Sequence, residues 1–394
     1  MATKKKGSVA TTVEEVDDLK GSKWAKDFVS FEDELDTVFQ ETGVVGFDLA
    51  ISNGRGLPVG GCILLYSAPG SGKSTLCVDI AKRMLAMHEQ SGIPYKCLFV
   101  DVEGGSKGLV KQSGLAAYVT AEHGRRLLYR PSKRTTWNDI EDYCKAILED
   151  DPLFKDVKLI IIDSLSSIMS ETMADEKKAV NAGDFGSSAK DRYVLYNKYF
   201  LDLKSRGVTI LLIAQQRTKQ GATMFEDPKK AATADGDDHI VDTILKLSRT
   251  QGGQNADTKK VDVMSTASNA AQKMSKQFFI NIQAPVKNRY GAYPAVPVLV
   301  KIGTGIINRF TIKNMLLSKG ISLMKEGGSK VNRTYTVDEE LLAYIGDNSF
   351  VQGSDRLTTN NWITAHVEPI KEFLKSKDLY KVVLDEDAIV EDDD

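Results

Sequence analysis

The chain has 394 residues and a formal charge of −2, with 42% hydrophobic and 27% charged residues, the make-up of an ordinary soluble globular protein too long for one small domain. No run of eighteen apolar residues occurs, and the start MATKKKGSVATT has no apolar stretch behind its lysines, so neither a membrane span nor a secretory signal is expected. The charge is uneven: the last ten residues, DEDAIVEDDD, hold seven acids and no base, and taking those seven from −2 leaves +5 on the rest. That arrangement suits proteins that handle polyanions, and equally a chain with a solvated, unstructured end.

Residues 1–41 read as a separate arm, with Trp24, Phe28, Phe31, Leu35, Val38 and Phe39 spaced for a short amphipathic helix or two. From Thr42 onward, short apolar runs alternate with amphipathic stretches. The runs CILLYS (62–67), CLFVDVE (97–103), LIIIDS (159–164) and TILLIAQ (209–215) are apolar almost throughout, as strands buried on both faces of a parallel sheet are. Candidate helices lie between them at Ser74 to Gln90, Trp137 to Leu148 and Ala189 to Ser205, so the alternation predicts an α/β core with a mainly parallel sheet. Further strands are expected within HIVDTILKLS (239–248), QFFINIQ (277–283) and VPVLVKIG (296–303), on shorter connections that suggest an antiparallel extension. After Asn308, helical patches and polar loops predict a small α+β C-terminal domain. Cys62, Cys77, Cys97 and Cys144 are widely spaced with no C-x-x-C, so neither a disulfide framework nor a zinc site is expected, and a reducing cytoplasm is the default.

Residues 67–75 read SAPGSGKST. A strand, a glycine turn and a helix in that order are the setting of a phosphate-binding loop; Ser67 stands where the strict pattern has glycine, at the strand end, where a small side chain costs little. The stretch Ser67, Ala68, Pro69, Gly70, Ser71, Gly72, Lys73, Ser74 and Thr75 would cradle phosphate oxygens with backbone N–H groups and the dipole of the following helix. Lys73 would reach the β- and γ-phosphates, while the Ser74 hydroxyl and Asp163, at the tip of KLIIID, would hold Mg²⁺. Glu103 ends CLFVDVE and could activate a water; Asp101, two residues earlier, would share its face, and spacing alone does not choose between them. Gln215 ends TILLIAQ with an amide that can both donate and accept near a γ-phosphate. Two long polar stretches, 170–188 and 216–238, follow core strands at their C-terminal ends, the edge where open α/β sheets hold ligands.

In order and spacing these motifs resemble those of RecA-family DNA strand-exchange recombinases of the bacterial RecA and phage UvsX type. TGVVGFDLAISNGRGLPVGGCILLYSAPGSGKST (42–75), CLFVDVE, LIIIDSLSSI, LLIAQQRTKQG, MFEDP (224–228) and APVKNRYGAYPAVPVLVKIGTGIIN (284–308) carry the resemblance, which covers residues 42–308. It implies a RecA-like P-loop ATPase core (42–308) with a mainly parallel central sheet, between an N-terminal polymerisation arm (1–41) and a C-terminal domain with an acidic tail (309–394). It implies ATP and Mg²⁺ as ligands, with Lys73 and Ser74 on phosphate and metal, Asp163 as the metal-holding acid, Glu103 as the activator of water and Gln215 as the link to the second DNA loop. Lys287 and Arg289 match a basic pair that reaches the γ-phosphate of a neighbouring subunit, so a homo-oligomeric helical filament is implied. Phe185 in the first loop, and Arg217, Lys219, Phe225, Lys229 and Lys230 in the second, would supply the charge and stacking that grip DNA.

The function so implied is homologous pairing and strand exchange between single-stranded and double-stranded DNA, with no membrane partner, in a bacterial nucleoid or an infected host's cytoplasm. A single-strand-binding protein or a loader would be the accessory partner. Two departures stand out: GGSKGLVKQSG after Glu103 has no aromatic to stack on adenine, and the insertion Thr250–Ser275 has no counterpart in the family's pattern. A ring-forming helicase or translocase on the same core, and a nucleotide-binding switch without turnover, are the alternative readings. Removing residues 385–394 is expected to tighten duplex binding, since the tail competes with DNA phosphates for the basic body; unchanged affinity at low salt would dismiss that role.

Overall fold

The computed structural model describes residues 37–131, 134–170, 184–218, 229–231, 240–250, 277–291, 293–326, 333–347 and 349–380. The chain divides into two units, Met1–Val38 and Phe39–Asp394. The expected arm helices, most of both long loops, the insertion after Thr250 and the acidic tail lie outside the described residues.

The second unit is built on β3 (Cys62–Ser67), which lies between β7 (Thr209–Thr218) and β9 (Thr243–Thr250) and runs parallel to both. Beyond β7 the parallel order continues through β6 (Val157–Asp163), β4 (Lys96–Asp101) and β5 (Leu127–Arg130). On the other side β10 (Gln277–Ile282), β12 (Val296–Lys301) and β13 (Gly305–Ile307) add antiparallel strands. The mixed α/β architecture expected from the apolar runs is therefore present, with a largely parallel centre and an antiparallel flank.

Strand β3 shows why every position in such a run is apolar. Ile63 and Leu65 pack in one layer with Phe47 of α1 (Val45–Ser52) and with Leu76 and Ile80 of α2 (Lys73–Gln90). Cys62, Leu64 and Tyr66 pack in the opposite layer with Ile140 and Cys144 of α4 (Trp137–Leu148) and with Tyr199 and Leu203. A strand covered on both faces has no solvent side to mark with polar residues. Thr136 caps α4 through a reciprocal bond with Asp139, so that helix starts at the first apolar residue of its pattern.

Three differences from the sequence reading have local causes. Strand β7 runs past Gln215, because Gln216, Arg217 and Thr218 pair with Ala231, Lys230 and Lys229 of β8 (Lys229–Ala231); the polar stretch begins as the base of a hairpin. The helix expected from Ala189 begins at Asp184, inside the first polar stretch, and passes through a π-turn at Tyr196–Phe200 before Leu201–Ser205. Strand β5 was not anticipated; its four residues are too few for a pattern to show.

Beyond β13, helix Asn308–Ser318 and helices Arg356–Ala365 and Val367–Ser376 bring Ile312, Leu316, Trp362, Ile363, Ile370 and Phe373 into the layer that holds α1 and α2. Beside them lies a three-stranded antiparallel sheet of β14 (Ser322–Glu326), β15 (Arg333–Val337) and β16 (Ser354–Asp355). Glu41 closes the arrangement, accepting hydrogen bonds from Lys371 at 2.7 Å and from Lys375. All four cysteines are buried, and no helix among the described residues is long and apolar enough to cross a membrane.

Fully buried Asp48 accepts from the Thr42 hydroxyl at 2.6 Å and from the Thr42 N–H at 3.1 Å. Burial pushes its carboxyl up to about 7, against the pull of the Thr42 bonds. The folded chain therefore binds a proton more tightly than the unfolded one, and the stability this contributes is present at low pH and is lost as pH rises toward 7. Asp48→Asn is expected to flatten the decline in unfolding free energy between about pH 4 and pH 7, measured by denaturant titration; a parent and variant with parallel pH profiles would refute that assignment.

Candidate functional site

The site begins where β3 turns into α2. Gly70 and Gly72 adopt φ of 74° and 91°, the left-handed region that lets the chain curl back over the helix start. At Gly72 the requirement is steric as well, since a Cβ there would stand 2.6 Å from Ile280 Cδ1 of β10. The resulting turn presents the N-terminus of α2 to the sheet edge, a ready setting for an anion. Lys73 is buried and folded back, donating Nζ to the Ser67 carbonyl at 3.1 Å, to Ser67 Oγ at 3.0 Å and to the Ala68 carbonyl at 3.2 Å. Desolvation lowers its ammonium below the usual lysine range, opposed by Asp163 and Glu103.

The neighbouring strands end on this turn because of their register. Ser67 pairs with Gln215, Ile213 with Asp163, and Asp163 with Asp101. Asp163 Oδ2 accepts from Ser74 Oγ at 2.6 Å and from Ser106 Oγ at 2.8 Å. Burial holds this carboxyl above the usual range, the two hydroxyl bonds opposing it and the charges of Glu103 and Asp101 adding to it. A hydroxyl and a carboxylate oxygen in contact, beside a curled glycine turn, form a hard-oxygen donor pair of the kind Mg²⁺ takes together with phosphate and water oxygens, so the residues present fit that ion.

Asp101 and Glu103 part company in space. Asp101 is fully buried and serves the loop itself, accepting from the Gly104 N–H at 2.8 Å, the Ser106 N–H at 3.1 Å and the Tyr129 hydroxyl at 2.7 Å. Glu103 is exposed at the strand edge, where Oε1 accepts from Gln215 Nε2 at 2.9 Å, from Ser167 Oγ at 3.2 Å and from Ser164 Oγ. All these bonds fall on one oxygen; Oε2 has no partner among the described residues.

One residue and one groove join the site that the sequence reading missed. Arg249, near the end of β9, lies over the Phe278 ring at 4.1 Å and donates NH1 to the Gly70 carbonyl at 3.3 Å. Beside Thr75, an open groove is lined by Asp79, Leu109, Phe278, Ile302 and Gly303. The G-T-G of β12–β13 was the available signal for the groove; nothing local marks Arg249.

Lys287 and Arg289 are not brought to their own phosphate loop. Lys287 sits in β11 (Lys287–Asn288) opposite Ile244, which pairs with Leu64, roughly 10 Å along β3 from Ser67. Arg289 lies further toward the start of β3, bonded to Asp242. Arg217 and Lys230 face each other across β7 and β8, with Lys229 beside them opposite Thr218. Phe185 falls in the first turn of helix Asp184–Leu195. Lys219 and Phe225 lie outside the described residues, as do the side chains of Phe185, Lys229 and Lys230.

Residues 53–191 match the AAA domain family. With a glycine turn between a central parallel strand and its helix, and with Asp163, the partner of Ser74, at the end of the next strand but one, the architecture is decided. It is a mixed α/β fold around a largely parallel sheet, consistent with a RecA-like P-loop ATPase core. The matched segment holds the phosphate loop, Glu103 and Asp163 and stops short of Gln215, Lys287 and Arg289. A stretch of 126 residues, 29% of this chain, is 28% identical to the DNA repair protein RAD51 homolog 2 of Arabidopsis thaliana, and spans 33% of that protein's length.

Asp163→Asn separates the cost of this candidate site from its use. The variant is expected to melt at the same or a higher temperature without ligand, because it removes a buried charge near Glu103 and Asp101. It is also expected to lose the stabilisation that Mg²⁺ with a nucleotide confers, about 2.7 kcal/mol at a hundredfold excess over Kd. A variant that still gains that stabilisation would take Asp163 out of the metal site.

Proposed function

We propose that the chain is an ATP-dependent DNA recombinase, which forms helical filaments on single-stranded DNA and catalyses homologous pairing and strand exchange. The observation that carries this reading is the 2.9 Å hydrogen bond from Gln215 to Glu103. Gln215 belongs to β7, the same strand that runs directly into the Arg217–Lys230 ladder at the root of the second polar stretch. One amide thus joins a water-activating carboxylate to the segment proposed to grip DNA. A nucleotide-binding switch without turnover has no use for the carboxylate.

In the proposed cycle the N–H groups of the Gly70–Ser74 turn bind the phosphates. Lys73 exchanges its bonds to Ser67 and Ala68 for the β- and γ-phosphate oxygens. Ser74 and Asp163 hold Mg²⁺, which when bound offsets the negative charge on those oxygens. Glu103 orients a water and takes its proton through Oε2, which is outside the Gln215–Ser164–Ser167 network. The base of the nucleotide would occupy the groove by Thr75, whose lining includes Leu109, Phe278 and Ile302. Lys287 and Arg289 serve the site of the next subunit, in keeping with their distance from their own phosphate loop. The DNA-repair relative supports the recombination setting; the pairing reaction, the DNA partners and the filament are this reading's own.

Electron microscopy with single-stranded DNA and a slowly hydrolysed ATP analogue tests it. Helical filaments are expected, and closed rings without filaments would replace the reading with a helicase or translocase. Glu103→Gln is expected to lower DNA-stimulated ATP turnover by about 10²-fold or more while filaments persist. A wild-type chain that binds ATP without turning it over would leave the switch.

A further inference from the structure

Lys287 and Arg289 are held by two consecutive residues. Lys287 Nζ donates to the Val241 carbonyl at 2.7 Å, Arg289 NH1 meets Asp242 Oδ1 at 3.0 Å, and the Arg289 backbone N–H donates to the Asp242 carbonyl at 3.1 Å. In sequence, Val241 and Asp242 stand between Asp238, where the second polar stretch ends, and Thr243, where β9 begins. The two cations proposed to act on a neighbour are thus fastened to the chain where it enters the core from the proposed DNA loop.

Asp242 is built as a fixed point. Its carboxylate is 3% exposed, and Oδ2 accepts from Lys204 Nζ at 2.7 Å and from the Cys62 N–H at 2.8 Å, at the first residue of β3. One ammonium already balances the charge of this buried acid, so the arginine is a second cation on a single carboxylate. Arg289 itself is 54% exposed. A guanidinium holds its five donors in a rigid fork, so bonding it to a buried anchor fixes the orientation of the whole group. An arginine on a turn without that anchor would give up rotamer freedom each time it engaged a phosphate.

We propose that Asp242 is the positioning residue for Arg289: it presents the guanidinium to the phosphates of the neighbouring subunit and ties that presentation to the end of the second polar loop. This rests on the trans role given to Arg289 above, and it adds the element through which the loop reaches that role.

The test uses full-length protein on single-stranded DNA. Asp242→Asn is expected to lower kcat for ATP about ten-fold or more, with KM within about two-fold, because its own phosphate loop is intact. Mixing it with Lys73→Ala subunits, which cannot use ATP but carry intact Asp242 and Arg289, is expected to restore turnover above that of either variant alone. Arg289→Ala is expected to be relieved in the same way, and Asp242→Asn is expected to add little to it. Asp242→Glu, which keeps the charge beside Lys204 but displaces the acceptor by a methylene, gives the same reading if the asparagine variant does not fold. Turnover within about two-fold of the parent overturns the proposal. So does a loss that Lys73→Ala subunits relieve for Arg289→Ala and not for Asp242→Asn. If they fail to relieve Arg289→Ala, the trans role itself falls, and the proposal with it.

Discussion

The parallel register of β3, β7, β6 and β4 sets Ser67 against Gln215, Ile213 against Asp163 and Asp163 against Asp101, so that the ends of β3, β6 and β4 meet Gln215 of β7 at one edge. A slip of one residue in any of these pairs would move a side chain about 3.3 Å and turn it to the other face. The register holds because each slip would also exchange the two packed layers. Ile63 and Leu65 face α1 and α2, while Leu64 and Tyr66 face the opposite helices, and the two sets fill differently shaped spaces. The Ser74–Asp163 and Glu103–Gln215 contacts thus depend on apolar packing along the length of the strands.

That dependence explains what could be read beforehand. Runs such as CILLYS and LIIIDS announce their strands because both faces must be apolar, and a phosphate-loop pattern states its own place between strand and helix. The choice between Asp101 and Glu103 was hidden because β4 ends at Asp101, and side-chain alternation stops where the ladder stops. Arg217 and Lys230 looked like loop residues because a three-pair, mostly polar ladder carries no hydrophobic period. Arg249 and Asp242 were beyond any local signal. Arg249 acts on Gly70, and Asp242 on Cys62, across gaps of 179 and 180 residues.

Helix α2 transmits the position of the phosphate loop to the rest of the chain. Its Arg83 donates to Asp79 at 2.7 Å, to the Gly43 carbonyl at 3.1 Å and to the Ile306 carbonyl at 2.7 Å. Asn308 reaches the same Gly43 carbonyl at 2.7 Å, and Glu41 nearby is clasped by Lys371 and Lys375. The segment before α1, strand β13 and the helix Val367–Ser376 are therefore fastened to the helix that carries Lys73 and Ser74. A phosphate loop braced in this way is held to the core on several sides, which suits a candidate site assembled from the ends of separate elements.

The buried cysteines have a consequence of a different kind. Burial raises the thiols of Cys77 and Cys97, and that of Cys144 to about 12, so almost none of the nucleophilic thiolate is present at neutral pH. Cys62 lies in the central strand with no surface exposed. Alkylating reagents and mild oxidants therefore meet these sulfurs only when the sheet opens, and the rate of thiol labelling becomes a clock for core opening. The same chemistry leaves the folded surface silent, so a single cysteine introduced at an exposed position would carry a probe without removal of the native four.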